Sequence, residues 1–455
     1  MENIITLTDS YKFTHHRMYP PGTEKVHSYF EARTGATHSY TVFVGLQYIL
    51  KRFLVGEVVT RAKIEAAAEL SKKHFGADVF NRPMWEHILA TWGGRLPLTI
   101  RAVPEGMVVP NSNVLMTVEN NDPMCAPLTN HVETILSHVW FPSTVATVSR
   151  KIKECIARFL DDTADSRAGL DFMLHDFGFR GTSSVESAGI GGFGHLVNFK
   201  GTDTVRAIEI AMEHYGSDVC AFSIPATEHS VMTSLGPDGE ETIFSDLLSQ
   251  FPAGPLAIAS DSYDIFRACS EIIGGKLKDR ILTRDGVIVV RPDSGDPVST
   301  MLRVIEILAA RFGASPNSKG FLVMNPKVRT LWGDGLEYDG IYNILRALKE
   351  SGWSASNVAG FGMGGGLLQK VNRDTQRFAF KCSAQYRDGK WVDIYKDPVD
   401  KTKASKRGRL ALTHDATGFH TVPYPAEHDL LKVVFKNGWI PTACTLDSIR
   451  ANAAL

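Results

Sequence analysis

From about residue 255 the chain alternates short β-rich runs with helical stretches, a rhythm that leaves few folds open. PLAIASD, VIVVRPD, VRTLWGDG and NVAGFGMGGG read as strands with polar or glycine-rich ends. Between them Met301, Val304, Ile305, Leu308 and Phe312 recur at helical spacing. Ile341, Ile344, Leu345 and Leu348 do so in the next interval, so both intervals read as amphipathic cover helices. Upstream, FMLHDFGFRG, HLVNFKGTD and AFSIPATEH have the same form, each an apolar run ending in residues that can do chemistry. The strands are expected either to close into a β/α barrel or to lie in an open doubly wound sheet. Both arrangements bring the strand ends to one face, where such folds place their sites.

The first 150 residues differ. RAKIEAAAELSKKHFG reads as an amphipathic helix, and LPLTIRAVPEGMVVPNSNVLMTVEN as β-rich runs broken by Pro and Gly. The expected organisation is an α+β region over 1–150, completed by 378–455, around a catalytic barrel over 151–377. A formal net charge of −1 over 455 residues offers no global field for nucleic acid or anionic lipid, so a charged ligand must be held locally. The apolar runs are too short to span a membrane, and the start MENIITLTDSYK lacks a basic segment followed by an apolar one; the expected location is the cytoplasm. Six widely spaced cysteines without a CxxC pair read as reduced structural thiols.

Several strand ends carry ionisable groups. In VIVVRPDSGDP, Arg291, Asp293 and Asp296 follow the strand; they suit a sugar phosphate, held directly or through Mg²⁺, or else an Asp/Gly turn with a surface ion pair. Gly362, Gly364, Gly365 and Gly366 precede a helix expected near Leu367, where backbone N–H groups can meet an anion, or where a turn simply packs closely. Asp334, between Gly333 and Gly335, suits ribose hydroxyls or a helix cap. Phe177 can stack on a planar ring and Arg180 can pair with a phosphate. Ser183 and Glu186 have capping-box spacing. Lys401, Lys403, Lys406, Arg407 and Arg409 form a basic run that reads as a polyphosphate clamp or a solvated loop. His229, adjoining Glu228, is a core histidine or a nucleophile oriented by one of the acids Asp261, Asp293 and Asp334.

Taken in order, TDSYKFTHH, KVHSYFEAR, HDFGFRG, LVNFKGTDT, PATEHS, SDSYDI, RPDSGDP, GDG, GGGLLQK, FKCS, YKDP and VFKNG closely resemble the nicotinamide phosphoribosyltransferase family over nearly the whole chain. The resemblance implies a type II phosphoribosyltransferase fold, an irregular β/α barrel with an additional sheet domain, in a homodimer with shared sites. It implies that nicotinamide and phosphoribosyl pyrophosphate are the substrates, with Mg²⁺ held mainly by diphosphate oxygens and ATP as a coupled co-substrate. Phe177 and the partner chain's Tyr11 would sandwich the nicotinamide ring beside Arg291, and Asp203 would accept from the carboxamide. Arg180, Asp293, Gly333, Asp334, Gly364 and Arg373 would hold the donor. His229 would be phosphorylated by ATP with Asp261 orienting it. Arg33, Lys381, Lys396 and Lys403 would lie near diphosphate or ATP phosphates. Ala379 and Ala257 stand where relatives often carry serine. A homologue that uses ADP-ribose pyrophosphate and makes NAD directly is the competing expectation.

Overall fold

The computed structural model describes residues 2–399 and 404–455. Its strands, in chain order, are β1 (Thr23–Ala32), β2 (Leu98–Ala102), β3 (Val114–Asn120), β4 (Leu174–Asp176), β5 (Gly201–Thr202), β6 (Leu256–Ala259), β7 (Ile288–Arg291), β8 (Val328–Trp332), β9 (Val358–Met363), β10 (Phe378–Arg387), β11 (Lys390–Asp393) and β12 (Lys432–Lys436), leaving aside short peripheral pairs. The chain divides into two compact units. One comprises Met1–Thr147, Ile210–Asp218 and Asn372–Ala454, and the other Val148–Glu209 and Val219–Val371 with Leu455.

The first unit is built on a six-stranded antiparallel sheet ordered β11-β10-β1-β3-β2-β12. Its long central strand β1 is buried from Val26 to Ala32, which requires cover on both faces. Phe30 stacks on Phe378 of the neighbouring strand with centroids 5.0 Å apart, a cross-strand aromatic pair that helps set register. The expected helix of RAKIEAAAELSKKHFG spans Arg61–Phe75, started by the Thr60 side chain on Lys63 N and ended by Gly76 in the left-handed conformation.

The second unit contains six parallel strands ordered β5-β4-β9-β8-β7-β6. Its two edges are joined by the segment from Phe222 to Ala226, bridged to Gly201 on one side and to Ala257 on the other. Phe222 N donates to Lys200 O at 2.8 Å and Ala257 N to Pro225 O at 2.9 Å, so backbone hydrogen bonds close an irregular barrel. AFSIPATEH is therefore not the regular buried strand that its composition suggests. It makes isolated bridges, and Phe222 is 52% exposed. HLVNFKGTD likewise begins as the end of a helix, Val185–Leu196, and supplies only the two residues of β5.

The barrel interior is filled by Ala257, Val289 and Leu331, with Phe177, Ile224, Val287 and Ala359 packed on them. Outside, helix Pro297–Phe312 buries Met301, Val304, Ile305, Leu308 and Phe312, and helix Tyr338–Glu350 buries Ile341, Ile344, Leu345 and Leu348, the two apolar stripes read from spacing. All six cysteines are free and four are buried.

Candidate active site

In the second unit the barrel's strands end in a cluster of aromatic and ionisable groups. β4 stops at Asp176 and hands the chain to Phe177. A methyl group at Gly362 would lie 2.1 Å from Phe177 Cε2, and one at Gly333 would lie 3.1 Å from it, so these glycines give the aromatic ring its place. A methyl at Gly364 would lie 3.2 Å from Phe177 O, which brings that loop equally close. Arg180 follows in a single 3₁₀ turn, Phe179–Gly181, and is exposed. Asp203 is exposed just beyond β5; its N donates to Asp176 O at 3.0 Å, and its Oδ1 accepts from Ser223 Oγ at 2.6 Å.

His229 opens one helical turn, His229–Met232. Its neighbour Glu228 is taken up by the hydroxyl of Ser230. The carboxylate that faces the histidine comes instead from the next strand: Asp261 Oδ1 lies 3.7 Å from His229 Nε2, while Ser262 Oγ lies 3.2 Å from Nδ1. The imidazole is 49% exposed and the carboxylate only 4%, so a buried acid lies beside a half-exposed ring. Asp261 is itself fixed, its Oδ2 accepting from Asp293 N at 3.0 Å and Ser294 Oγ at 2.5 Å.

Arg291 Nε donates to Asp293 Oδ2 at 3.1 Å. Burial raises the Asp293 carboxyl above the usual carboxylate range; Arg291 and His229 oppose this, while Asp261 and Asp334 add to it. Four charged or titratable groups, Arg291, His229, Asp261 and Asp334, therefore act on Asp293 from three strand ends and the His229 turn. Asp261 Oδ1, turned towards His229, and Asp293 Oδ1 are both buried without a hydrogen-bond partner.

The first unit carries its own basic cluster. Lys381 sits on β10 in register with Tyr29 of β1, and Arg33 directly follows β1. Burial lowers the Lys381 ammonium below the ordinary lysine value, and the positive charges of Arg33, Lys396 and Arg373 lower it further against Glu133. Four of the expected phosphate-binding side chains thus share one positive field. Lys403, with Lys401, lies outside the described residues. Tyr11 is 55% exposed on a 3₁₀ turn, Ser10–Phe13, with its ring 5.3 Å from that of His15.

Some expected ligands have other duties. Lys406 pairs with buried Glu31, and Arg409 donates to Glu119 at 3.1 Å while lying over the Trp391 and Tyr424 rings, so these two members of the basic run serve the sheet. Asp296 caps helix Pro297–Phe312 through Ser299 N at 2.9 Å. The capping box before helix Val185–Leu196 is Ser184 with Ser187, one residue later than the expected pair. The helix after the glycines is a single turn, Gly365–Leu368, too short for a strong dipole, and a methyl on Gly366 would lie 2.7 Å from Leu336 O, a packing role.

Ser223, Ser262, Ser294 and Asp176 were missed in the sequence. Each stands inside a motif whose neighbour drew attention, and a serine's partner cannot be read from its own segment. Burial pushes the Asp176 carboxyl up to about 6, against the Gly178 N–H and the Thr204 hydroxyl and with help from Asp203. The folded chain therefore holds this proton more tightly than the unfolded chain, and stability is lost as pH rises from about 4 through about 6. Asp176→Asn is expected to escape that loss, gaining about 2 to 3 kcal/mol on wild type between pH 4 and pH 7.5 in denaturant titrations. A constant difference between the variants across that range would refute the buried charge.

Among the described residues no group of three or more His, Cys, Asp or Glu stands ready for a metal, and no helix is long and apolar enough to cross a membrane. Isolated carboxylate oxygens such as Asp293 Oδ1 fit a hard cation only as part of a sphere completed by other oxygens.

Two solved structures share the fold: a nicotinate-nucleotide pyrophosphorylase from Pyrococcus furiosus (TM-score 0.61, 16% identity, 99% of this chain and 95% of that one) and human nicotinic acid phosphoribosyltransferase (TM-score 0.59, 16% identity, 98% and 92%). Relatives named nicotinamide phosphoribosyltransferase include one from Xanthomonas campestris pv. campestris, 46% identical over 100% of this chain and 98% of the relative. Another, from Acinetobacter baylyi, is 32% identical over 99% and 97%. The family model for the nicotinamide phosphoribosyltransferase N-terminal domain matches residues 3–100, and that for the nicotinate phosphoribosyltransferase (NAPRTase) family matches residues 172–439. The chain belongs to the NAPRTase family, alongside the enzymes named nicotinamide phosphoribosyltransferase.

Proposed function

We propose that this chain transfers the phosphoribosyl group of phosphoribosyl pyrophosphate to nicotinamide, giving nicotinamide mononucleotide and pyrophosphate in NAD salvage. The observation that carries the reading is the shared barrel mouth of Phe177, Asp203, His229, Asp261, Arg291 and Asp293 in a chain 46% identical to a nicotinamide phosphoribosyltransferase. Phe177 offers a face for the pyridine ring, with Tyr11 of a second subunit on the other side and Arg291 at its edge. Asp203 accepts from the carboxamide N–H₂ and disfavours a pyridine carboxylate by like-charge repulsion. Asp293 and Asp334 take ribose hydroxyls, and Arg180, Arg373, Gly333 and Gly364 border the donor's phosphates.

The pyridine nitrogen attacks C1 of the ribose as the C1–oxygen bond to diphosphate breaks, with oxocarbenium character between. Such a displacement needs positioning and charge neutralisation rather than a protein nucleophile. Bound Mg²⁺ would be held mainly by the donor's diphosphate oxygens and would supply charge neutralisation to the leaving group. The basic cluster of Arg33, Lys381 and Lys396, with Lys403 added on the family resemblance alone, does the same for ATP or diphosphate, contributed in part across a homodimer. His229 takes the γ-phosphoryl group of ATP, releasing ADP, and hydrolysis of the phosphohistidine drives the transfer. One specific feature keeps the larger donor ADP-ribose pyrophosphate as the competing reading: Ala379 is buried on β10 opposite Glu31, in the strand that carries Lys381, and offers no hydroxyl to a phosphate.

The test is mass spectrometry of products from the purified chain with nicotinamide, Mg²⁺ and either donor, with and without ATP. Nicotinamide mononucleotide from phosphoribosyl pyrophosphate, increased by ATP, is expected. NAD from ADP-ribose pyrophosphate with little mononucleotide from the smaller donor would replace this reading by the competing one.

A further inference from the structure

One carboxylate behind the acceptor site has no part in the chemistry proposed above. Asp176, the last residue of β4, is 0% exposed, and its three oxygens face three ways. The main-chain oxygen accepts from Asp203 N at 3.0 Å, and Oδ1 accepts from Gly178 N at 2.7 Å. Oδ2 is buried and makes no well-aligned hydrogen bond, with the Thr204 hydroxyl acting on the carboxylate. The first contact fixes the turn that carries Asp203, and the second fixes the turn that carries Phe177 and Arg180. Two glycines make room for the carboxylate: a methyl at Gly178 would lie 3.0 Å from Oδ1, and one at Gly192 would lie 2.9 Å from Oδ2.

An apolar residue of similar volume would fill this space without burying a charge. The carboxylate does what such a residue cannot: it hydrogen-bonds the Phe177 turn and places a second negative group behind Asp203. We propose that Asp176 is a positioning residue that sets acceptor specificity, its carboxylate holding the Phe177 turn through Gly178 N and adding its charge to that of Asp203, so that a neutral pyridine carboxamide is admitted and a pyridine carboxylate is turned away. The proposal rests on nicotinamide being the acceptor.

Its test compares wild type with Asp176→Asn, varying nicotinamide and nicotinic acid at saturating phosphoribosyl pyrophosphate and Mg²⁺. The KM for nicotinamide is expected to rise about tenfold with kcat changed less than about threefold, and the preference for nicotinamide over nicotinic acid to fall about tenfold. A merely structural role would lower the active fraction, reducing kcat equally for both pyridines and leaving both KM values in place; that outcome would overturn the proposal. Asp176→Ser, which keeps a short oxygen in the turn and drops the charge, carries the same expectation and stands in should the asparagine variant not fold. The wild-type control separates the two claims. If wild type makes no mononucleotide from nicotinamide, the functional reading fails and takes this proposal with it. If wild type is active and the folded variant keeps its KM and its selectivity, only the role of Asp176 falls.

Discussion

His229→Ala is expected to abolish the stimulation of nicotinamide mononucleotide formation by ATP while leaving ATP-independent transfer measurable. The imidazole is held between Ser262 Oγ at Nδ1 and Asp261 Oδ1 at 3.7 Å from Nε2, and Asp261 is braced by Asp293 N and Ser294 Oγ. A braced carboxylate stabilises positive charge on the ring as it takes a phosphoryl group, and the exposed side of the ring gives the nucleotide access. The ribosyl transfer itself calls for no protein nucleophile, so removing the ring leaves the positioning groups in place. Initial rates with and without ATP, together with transfer of label from γ-labelled ATP to the protein, read both effects. An alanine variant stimulated as strongly as wild type would remove the phosphohistidine from the mechanism.

Gly362→Ala is expected to lower kcat/KM for nicotinamide by about 100-fold, the order of loss that an ångström-scale misplacement brings. The added methyl would lie 2.1 Å from Phe177 Cε2 and 3.0 Å from Gly333 Cα, so the aromatic ring must move. Gly362 is not among the positive-φ glycines, and alanine meets no backbone penalty there, so the steric effect falls on the ring. The KM for phosphoribosyl pyrophosphate should change much less. Unaltered nicotinamide kinetics would show that the Phe177 ring is not the stacking face.

Much of the barrel was legible because its signals are local. Apolar runs with polar or glycine ends marked β6, β7, β8 and β9, and the spacing of Met301 to Phe312 and of Ile341 to Leu348 marked the faces of two cover helices. Residues at those ends, Arg291 with Asp293 above all, carry their partner only two positions away. Where a signal was local but misleading, local alternatives competed: Asp296 stands where a helix starts and caps it, and the serine pair before Val185 shifts the box by one residue.

What chain-local chemistry could not decide is which side chains meet across strands. Glu228 adjoins His229 in the chain yet pairs with Ser230, while the facing carboxylate is Asp261, 32 residues later by numbering. Asp203 is held by Ser223, from a segment that joins the barrel through isolated bridges, and Asp176 O meets Asp203 N only because β4 and β5 pair in parallel. Lys406 and Arg409 were drawn out of the basic run by Glu31 and Glu119 on β1 and β3. Hydrophobic period and turn chemistry act over a few residues and select each element, whereas inter-strand register and burial bring distant groups within hydrogen-bonding reach, and these are set only when the sheets close.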